Sequence, residues 1–526
     1  MPPTDNAPLS DLLATASRAI ATQKLATAEL TLRQAVGAAP DSSEAQRLSG
    51  VVQLMRGNAG MAVGHLRRAV ELKPDDFNAH MTLGSALFQC QLHDAAFESM
   101  RRACELSPET GAPWYNLGHA LHITRRTEEA RPVLERAMAL DPSHLMTRTT
   151  LANVLSSLGD IAEAARLYRD VLRSHPDHVR AWHSLVNLKS VKLDDAEIQQ
   201  IKQLLERPNL SADDRVWLSF ALAKSLENQN DLAASFRTLQ IANAIKRRIT
   251  PWDIATEYRR IDSFIEAFPP PLPPAVDPNL GSEVIFIACL PRSGSTLAEH
   301  ILASHSLVEG ANEIPDLTAV LRGESERRQQ TLGQWAPLAM AEDWHRLGCE
   351  YMERTARWRT RKPRFTDKNL GNWALVGPAL TMLPGARVVN TRRDPLETCF
   401  SCYRELFSVG GEFSYDLESV AHYYAGYDRI SQFWRQRFPG RCFDHVHEDL
   451  LADPESSIRK LLEFCDLPFE PACLEPHKTS RVVYSNRQVR QPLQSDIARS
   501  ARYGTLLDPL RDLLRQLGVS DHAYTL

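Results

Sequence analysis

The sequence contains no long apolar run: no stretch approaches the ~20 apolar residues that a membrane-spanning helix requires. Residues 1–6 contain neither a basic cluster nor an apolar segment, so we expect no secretory signal. The nine cysteines have no regular spacing, which is typical of free thiols in a reducing compartment. From these absences we expect a cytoplasmic protein without a membrane span.

The sequence also lacks an excess of charge of either sign. Its 61 Lys and Arg residues and 65 Asp and Glu residues give a net charge of -4, which argues against a general nucleic-acid-binding protein. No metal-ligand cluster is evident, because the Cys399-x-x-Cys402 pair is not followed by a second pair. We therefore expect no metal cofactor, and we expect these two thiols to lie in the core rather than in a redox or zinc site.

Prolines recur every 34 residues in the first part of the chain, at Pro40, Pro74, Pro108, Pro142 and Pro176. Alanines repeat at the same period, at Ala28, Ala62, Ala96, Ala130 and Ala164, and again at Ala35, Ala69, Ala103 and Ala137. This period and pattern are those of the tetratricopeptide repeat, with two antiparallel helices per unit. We predict an α-solenoid over residues 9–250, with a groove that takes a protein partner.

The repeat pattern decays after Trp182, and residues 217–248 are expected to form a degenerate helical pair. The proline-rich segment 268–274 then interrupts any helix and favours extended geometry. We therefore predict a helical, proline-rich linker over residues 251–280 and a second domain over residues 281–526. The chain, at 526 residues, is long enough for two cores.

An apolar run at residues 284–290 predicts a buried strand, and residues 297–302 have helical spacing. The loop between them contains one Arg, one Gly and three hydroxyl residues. A strand, a tight loop and a helix in this order place free N–H groups and a positive helix end at one point, which favours an anion. The loop is not that of an ATPase, because both the leading Gly and the Lys of G-x-x-x-x-G-K-[ST] are missing.

Two further strands are predicted at residues 386–391 and 441–446. After the first of these, Asp394 is expected to cap a helix, with Pro395 at its first position and Glu397 closing a capping box. Alternating strands and helices indicate an α/β domain with a parallel sheet whose ligands bind at the carboxyl ends of the strands.

Several short motifs occur together in the sequence. In chain order they are Pro291-Arg292-Ser293-Gly294-Ser295-Thr296, Glu313, Thr366-Asp367-Lys368, Arg393-Asp394-Pro395 with Ser401, His447-Glu448-Asp449-Leu450, and Gln488-Val489-Arg490-Gln491-Pro492. Behind a tetratricopeptide array, this set resembles a sulfotransferase of the branch similar to protein-tyrosine sulfotransferases. The resemblance is to the tetratricopeptide-repeat sulfotransferases and covers nearly the whole chain.

The resemblance implies a P-loop-like α/β domain and transfer of a sulfuryl group from 3′-phosphoadenosine 5′-phosphosulfate to an acceptor. It implies Glu313 as the catalytic base and Lys368 as the cation that neutralises the leaving oxygen. It implies that the 5′-phosphosulfate is bound by Arg292, Ser293, Gly294, Ser295 and Thr296, that the 3′-phosphate is bound by Arg393 and Ser401, and that Ser485 and Arg499 make further nucleotide contacts.

Several alternatives stay open at this point. His305 is a second candidate for the base, because other sulfotransferase branches use a His. The basic run 354–364 is either a solvated helix face or a rim for acidic acceptors. The acceptor is a protein, a peptide or a small molecule. The competing functions are a non-enzymatic adaptor with a degenerate nucleotide site and a nucleotide-dependent kinase, which the missing P-loop Lys disfavours.

Overall fold

The computed structural model describes residues 8–188, 191–478 and 499–519. The chain forms two compact units, residues 1–191 and 192–526. The first unit is a row of helical hairpins. Its helices are α1 (Leu9–Ala21), α2 (Leu25–Ala38), α3 (Ser43–Met55), α4 (Ala59–Leu72), α5 (Phe77–Gln89), α6 (His93–Leu106), α7 (Gly111–Ile123), α8 (Thr127–Leu140), α9 (Leu145–Leu158), α10 (Ile161–Ser174) and α11 (Val179–Asn187).

The repeated prolines end the second helix of each hairpin. The residue before each of these prolines leaves the helix with a similar backbone, from φ -142° at Ala39 to φ -136° at His175. The proline ring disfavours the helical conformation of the residue that precedes it. The 34-residue spacing of the prolines therefore sets where each hairpin stops and the next one begins.

The repeated small residues lie where the two helices of a hairpin touch. The alanines of the first set are all 0% exposed, and those of the second set are at most 1% exposed. At Gly118 a Cβ atom would lie only 2.5 Å from Cγ of Leu134, so a larger residue would push the helices apart. The predicted array of helical hairpins is confirmed.

The second unit is a parallel sheet surrounded by helices. Its strands are β1 (Val284–Cys289), β2 (Val308–Gly310), β3 (Arg364–Asp367), β4 (Arg387–Arg392) and β5 (Cys442–Val446). Its helices are α12 (Asp195–Leu205), α13 (Ala212–Asn228), α14 (Leu232–Ile249), α15 (Ile254–Glu266), α16 (Ser295–Ala303), α17 (Asp316–Arg328), α18 (Leu332–Trp335), α19 (Ala341–Arg354), α20 (Val376–Met382), α21 (Pro395–Tyr403), α22 (Leu417–Arg437), α23 (His447–Ala452), α24 (Pro454–Phe464), α25 (Arg499–Tyr503) and α26 (Asp508–Gln516).

The sheet has the order β2-β3-β1-β4-β5, and every neighbouring pair is parallel. Its central strand β1 is buried along its whole length. The α/β class is therefore confirmed. Three strands coincide with the predicted ones to within a residue or two, whereas β2 and β3 were not predicted. Within the described residues, no helix has the length and apolar character needed to cross a membrane.

The border between the two units differs from the predicted domain border at residue 250. It lies at residue 191, so α12 to α15 and the proline-rich segment belong to the second unit. The reason is shared burial, because Phe220 of α13 and Phe236 of α14 lie in one apolar core with Phe286 of β1 and Phe400 of α21. These helices complete the core of the sheet domain instead of stacking as further repeats.

Candidate functional site

The predicted site residues that follow β1, β2, β3 and β4 lie at the carboxyl ends of these strands. The chain leaves β1 toward β2 on one side of the sheet, and it leaves β4 toward β5 on the other side. The loops after β1 and β4 therefore diverge from neighbouring strands and leave a crevice between them. Such a crevice, at the carboxyl ends of parallel strands, is the usual ligand site of an open α/β sheet.

The loop after β1 has an unusual backbone. Arg292 has φ 71° and Gly294 has φ 91°, and α16 begins immediately afterwards at Ser295. A Cβ atom on Gly294 would lie 3.0 Å from Nδ1 of His447, so the loop requires glycine both for its φ angle and for space. This backbone turns the chain sharply and presents the N-terminal end of α16 to the crevice.

The hydroxyl residues of the loop do not share one role. Ser293 is buried, and its hydroxyl donates to the Leu290 carbonyl oxygen at 2.8 Å and lies 3.0 Å from the Thr391 hydroxyl. Ser295 is also buried and forms a hydrogen bond with the side chain of Cys289. Both side chains therefore hold the loop to the sheet. Thr296 is half-buried at the second position of α16.

Two arginines, one in each of the loops after β1 and β4, have part of their guanidinium groups unsatisfied. Nε of Arg292 and Nε of Arg393 are both buried, and neither has a hydrogen-bond partner among the described residues. A buried donor without a partner is unfavourable, and a buried guanidinium is more so. Two anionic groups bound in the crevice would satisfy both arginines, which fits a ligand with two separate anionic ends.

Arg393 and Ser401 are joined through Glu397. The Glu397 carboxylate is 3.4 Å from the Arg393 guanidinium, and it accepts from the Ser401 hydroxyl at 3.1 Å and from the Ser500 N–H at 2.7 Å. Asp394 caps α21 as predicted, accepting from the Glu397 N–H at 2.7 Å. The side chain of Glu397 is thus engaged with Arg393 and Ser401 rather than closing the predicted capping box.

Glu313 and Lys368 form an ion pair at the ends of β2 and β3. Nζ of Lys368 donates to Oε1 of Glu313 at 3.1 Å, and the Lys368 side chain is 5% exposed whereas that of Glu313 is 40% exposed. Burial alone would lower the pKa of Lys368, but the nearby carboxylates of Glu299 and Glu313 outweigh it and raise that pKa. Lys368 is therefore held as a cation, and Glu313 faces the crevice.

Asp367 is the last residue of β3 and immediately precedes Lys368 of this pair. It is fully buried and accepts from the Tyr351 hydroxyl at 2.7 Å and from the Asn372 amide at 3.0 Å. Burial raises the pKa of Asp367 to about 7, and these two hydrogen bonds oppose the rise only in part. The carboxyl anchors the strand end that carries Lys368.

Comparison with known proteins agrees with this geometry. Residues 284–471 match the model of the Sulfotransferase family, and residues 13–77, 60–110 and 121–188 match models of the Tetratricopeptide repeat. Residues 284–471 thus form a domain similar to the sulfotransferase family, the sulfotransferase domain, and residues 13–188 include regions similar to the tetratricopeptide repeat. The sulfotransferase match covers β1 to β5, together with α16 and α21.

The relatives found for this chain are distant. An uncharacterized protein of Aquifex aeolicus (strain VF5) is 32% identical over 341 residues, 62% of this chain and 44% of that protein. Protein-tyrosine sulfotransferase A of Caenorhabditis elegans is 24% identical over 268 residues, 47% of this chain and 69% of that protein. A solved thermophilic TPR protein of Thermus thermophilus aligns with TM-score 0.31 and 18% identity, covering 35% of this chain and 100% of that one. The chain thus spans less than half the length of its Aquifex relative.

The remaining candidates of the sulfotransferase domain are placed as follows. Ser485 lies outside the described residues. Arg499 begins α25, next to Ser500, whose N–H binds Glu397. His305 is fully buried, and its Nε2 lies 2.9 Å from the Pro468 carbonyl oxygen, so it does not face the crevice and is poorly placed to act as a base.

The C-x-x-C pair lies in the core of the sulfotransferase domain. Cys399 and Cys402 are free and buried in α21, and burial raises the pKa of Cys402 to about 12. Across the described ranges, no group of three or more His, Cys, Asp or Glu side chains could hold a metal ion. Sγ of Cys402 contacts the Pro291 carbonyl oxygen at 3.4 Å, which ties the end of α21 to the loop after β1.

The basic run 354–364 is largely engaged within the domain. Arg357 binds the buried Asp316 at 2.7 Å, and Lys362 donates to three carbonyl oxygens, at 3.1 Å to Ala303 and at 2.9 Å to two others. Arg359 likewise donates to a backbone carbonyl. Several members of this run therefore make contacts within the domain, while the side chains of Arg354 and Arg357 stay 46% and 53% exposed.

Two carboxylates of the site were missed. Glu299 is 2% exposed and lies on α16 beneath Glu313 and Lys368, and Glu397 joins Arg393 to Ser401. A signal for Glu397 exists in the sequence, because it lies four residues from both Arg393 and Ser401 and therefore near both in a helix. A charged residue at 299 within the apolar run of α16 was a weaker signal.

Proposed function

We propose that the protein transfers a sulfuryl group from 3′-phosphoadenosine 5′-phosphosulfate to an acceptor hydroxyl. The proposal rests on one observation. The anion-binding loop and the Lys368–Glu313 pair lie together at the carboxyl ends of the parallel strands. The donor has two anionic ends, which matches the two arginines beside the crevice, Arg292 and Arg393, whose buried Nε atoms have no hydrogen-bond partner among the described residues.

In this proposal the loop 292–296 binds the phosphosulfate through Arg292 and the N–H groups at the start of α16. Arg393 and Ser401 bind the 3′-phosphate, with Glu397 fixing both side chains before the nucleotide arrives. The predicted contacts by Ser485 and Arg499 remain part of the proposal. The 3′-phosphate distinguishes this donor from ATP, so Arg393 determines donor selectivity.

Glu313 takes the proton of the acceptor hydroxyl as its oxygen bonds to sulfur, and Lys368 neutralises the phosphate oxygen that leaves sulfur. The 40% exposure of Glu313 supports access to an acceptor from solvent, and the burial of Lys368 supports a fixed charge beside the donor. Positioning and charge stabilisation carry most of the rate in such in-line transfers. A general base contributes roughly 10²–10⁴-fold.

The acceptor class is proposed from the relatives. Protein-tyrosine sulfotransferases of animals are among them, so a protein tyrosine is the first acceptor to test. The tetratricopeptide array would recruit the acceptor protein or another partner. All nine cysteines are free, which supports a reducing compartment such as the cytoplasm.

The test is a thermal shift with 3′,5′-adenosine bisphosphate beside ATP and AMP. The bisphosphate should stabilise the protein selectively, by about 2.7 kcal/mol at 100 times its Kd. Stabilisation by all three nucleotides alike, or by ATP above the bisphosphate, would contradict the proposed donor. No nucleotide effect at all would favour the alternative of a non-enzymatic adaptor.

A further inference from the structure

Glu299 is a buried carboxylate that joins three parts of the candidate site. It lies on α16, four residues after the helix begins at Ser295, and it is 2% exposed. Its Oε1 accepts from the Asn312 N–H at 2.8 Å and from the Thr366 hydroxyl at 2.9 Å. One oxygen thereby contacts the residue before Glu313 and the residue two before Lys368.

The backbone at Asn312 depends on these contacts. Asn312 has φ 60°, a left-handed conformation that asparagine adopts more readily than most residues with a Cβ atom. Its N–H donates to Glu299, and its carbonyl oxygen accepts from the Lys368 N–H at 3.1 Å. Both polar groups of this residue are thus fixed, which sets the direction in which the next side chain, Glu313, leaves the chain.

Glu299 also affects the protonation of Lys368. The titratable groups that face Lys368 are Glu299 from α16, Glu313 from the segment after β2 and Cys289 from β1. Both Glu299 and Glu313 raise the pKa of Lys368 against the effect of burial, and Glu299 also faces Asp367. A negative charge fixed beneath Lys368 keeps the lysine protonated in a site where burial favours the neutral form.

We propose that Glu299 is a positioning residue that holds Glu313 and Lys368 in register with the donor loop. The inference rests on the proposed function and deepens it. Glu299 belongs to the helix whose first turn binds the phosphosulfate in that proposal, so one rigid element orients the donor, the base and the cation. In this proposal Glu299 contacts neither donor nor acceptor and acts through Asn312, Thr366 and Lys368.

The test separates charge from structure in the full-length protein. Glu299→Gln retains an oxygen that accepts hydrogen bonds and removes the charge. The rate at which acetic anhydride acetylates Lys368 is followed by peptide mass spectrometry across a pH series. We expect the Lys368 profile to move to lower pH, which is seen as a roughly tenfold faster reaction at a fixed pH below its pKa. Lys362, which is bound to backbone carbonyls, should not change.

Glu324→Gln is the matched control. Glu324 is also 2% exposed on a helix of the same domain, but its carboxylate binds Arg327, Arg328 and Arg346. This variant should lower the melting temperature and leave the Lys368 profile unchanged. An unchanged profile in Glu299→Gln, or an equal change in both variants, would overturn the inference.

Two further variants keep the test decisive. Glu299→Asp keeps the charge on a shorter side chain. The pH profile of Lys368 acetylation should therefore stay close to that of the wild type, whereas transfer to a tyrosine peptide should be slower. If Glu299→Gln does not fold, Thr366→Val removes one hydrogen bond to the same oxygen and keeps the charge, so it should leave the Lys368 profile in place and slow transfer to a tyrosine peptide. Transfer at the wild-type rate in Thr366→Val would then contradict the inference. Failure of the proposed function is distinguishable, since it would abolish selective stabilisation of the wild type by 3′,5′-adenosine bisphosphate.

Discussion

Lys368 and Glu313 are joined at 3.1 Å by an ion pair in which the cation is buried and the carboxylate is half-exposed. The pairing occurs although the two residues lie on separate loops that follow β2 and β3. The asymmetry suits the two roles proposed for them. A fixed cation belongs beside the donor, and a base must meet a substrate that arrives from solvent.

Replacing Glu313 tests the base. Glu313→Ala should lower turnover by roughly 10²-fold or more and leave binding of 3′,5′-adenosine bisphosphate nearly intact. The measurement is transfer of radiolabelled sulfuryl to a phenolic acceptor on which the wild type is active. Glu353→Ala, which changes an exposed carboxylate on α19, is the control and should behave as the wild type. Turnover near the wild-type value in Glu313→Ala would assign the base elsewhere.

Replacing Arg393 tests donor selectivity. Arg393→Ala should weaken the binding of 3′,5′-adenosine bisphosphate by roughly 1.5–3 kcal/mol, which is the scale of a hydrogen bond to a charged group. Binding of AMP should hardly change, because AMP carries no 3′-phosphate. Calorimetric titration with both nucleotides measures the difference. Arg459→Ala, at an exposed arginine paired with Glu455, controls for loss of charge, and equal losses for both nucleotides would refute the assigned role.

Replacing Gly294 tests the geometry of the loop. Gly294→Ala combines a left-handed backbone with a Cβ atom 3.0 Å from Nδ1 of His447. Gly440 also has a positive φ, 74°, but open space around it, so Gly440→Ala isolates backbone strain of about 1–2 kcal/mol. Only Gly294→Ala should lose affinity for the bisphosphate, by about 1.4 kcal/mol or more, which is tenfold. A similar affinity in the two variants would show that the loop tolerates the added atom.

Asp367 predicts a pH dependence of stability. Because burial raises its pKa to about 7, the folded chain keeps this proton at pH values where the unfolded chain has lost it. The contribution of Asp367 to stability is therefore largest below its unfolded pKa of about 3.9 and declines as the pH rises toward 7.

Asp367→Asn should remove that decline. Between about pH 4 and 7, its free energy of unfolding relative to wild type should rise with pH by at most ~1.4 kcal/mol per unit. Urea denaturation at several pH values measures it. Asp512→Asn, at an exposed carboxyl of α26, should show no such trend. A relative stability that stays flat with pH would mean that Asp367 is ionised in the folded chain.

The border between the two units can be tested by truncation. A fragment that starts at Val276 lacks α13 to α15 and exposes the core around Phe400 and Tyr403, which Phe236 covers. It should be insoluble or unfold without cooperativity. A fragment that starts at Lys192 keeps those helices and should fold and bind the bisphosphate. Soluble yield, calorimetry and nucleotide stabilisation decide between them, and a well-folded fragment from Val276 would restore the border expected from the proline-rich segment.

Much of the fold could be predicted from the sequence because its signals are local. The 34-residue spacing predicts the helical hairpins, and the apolar run at β1 predicts the central strand and the loop that follows it. In contrast, β2 has only three residues, too few to show a period, and β3 lies at the end of a basic run. The packing of Phe236 on Phe400 joins residues far apart in sequence, which no local pattern reveals.

The candidate site divides in the same way. The motif residues were predicted by resemblance, and their placement at one sheet edge follows from parallel strands. The connecting carboxylates Glu299 and Glu397 were not predicted. The role of Glu299, for example, depends on Asn312 and Thr366 lying together above α16. A residue that acts by joining separate loops has no signature until the loops are seen together.

The shared core of α13 and α14 with the sheet explains where the repeat pattern fades, and it sets a rule for changing the length of the array. Hairpins before residue 191 pack on their neighbours along the row, so a 34-residue unit could be inserted or deleted there in phase, between one repeated proline and the next. The same operation between residues 192 and 249 would remove or displace Phe220 and Phe236 from the sheet domain. Array length is thus an adjustable property of this protein only upstream of α12.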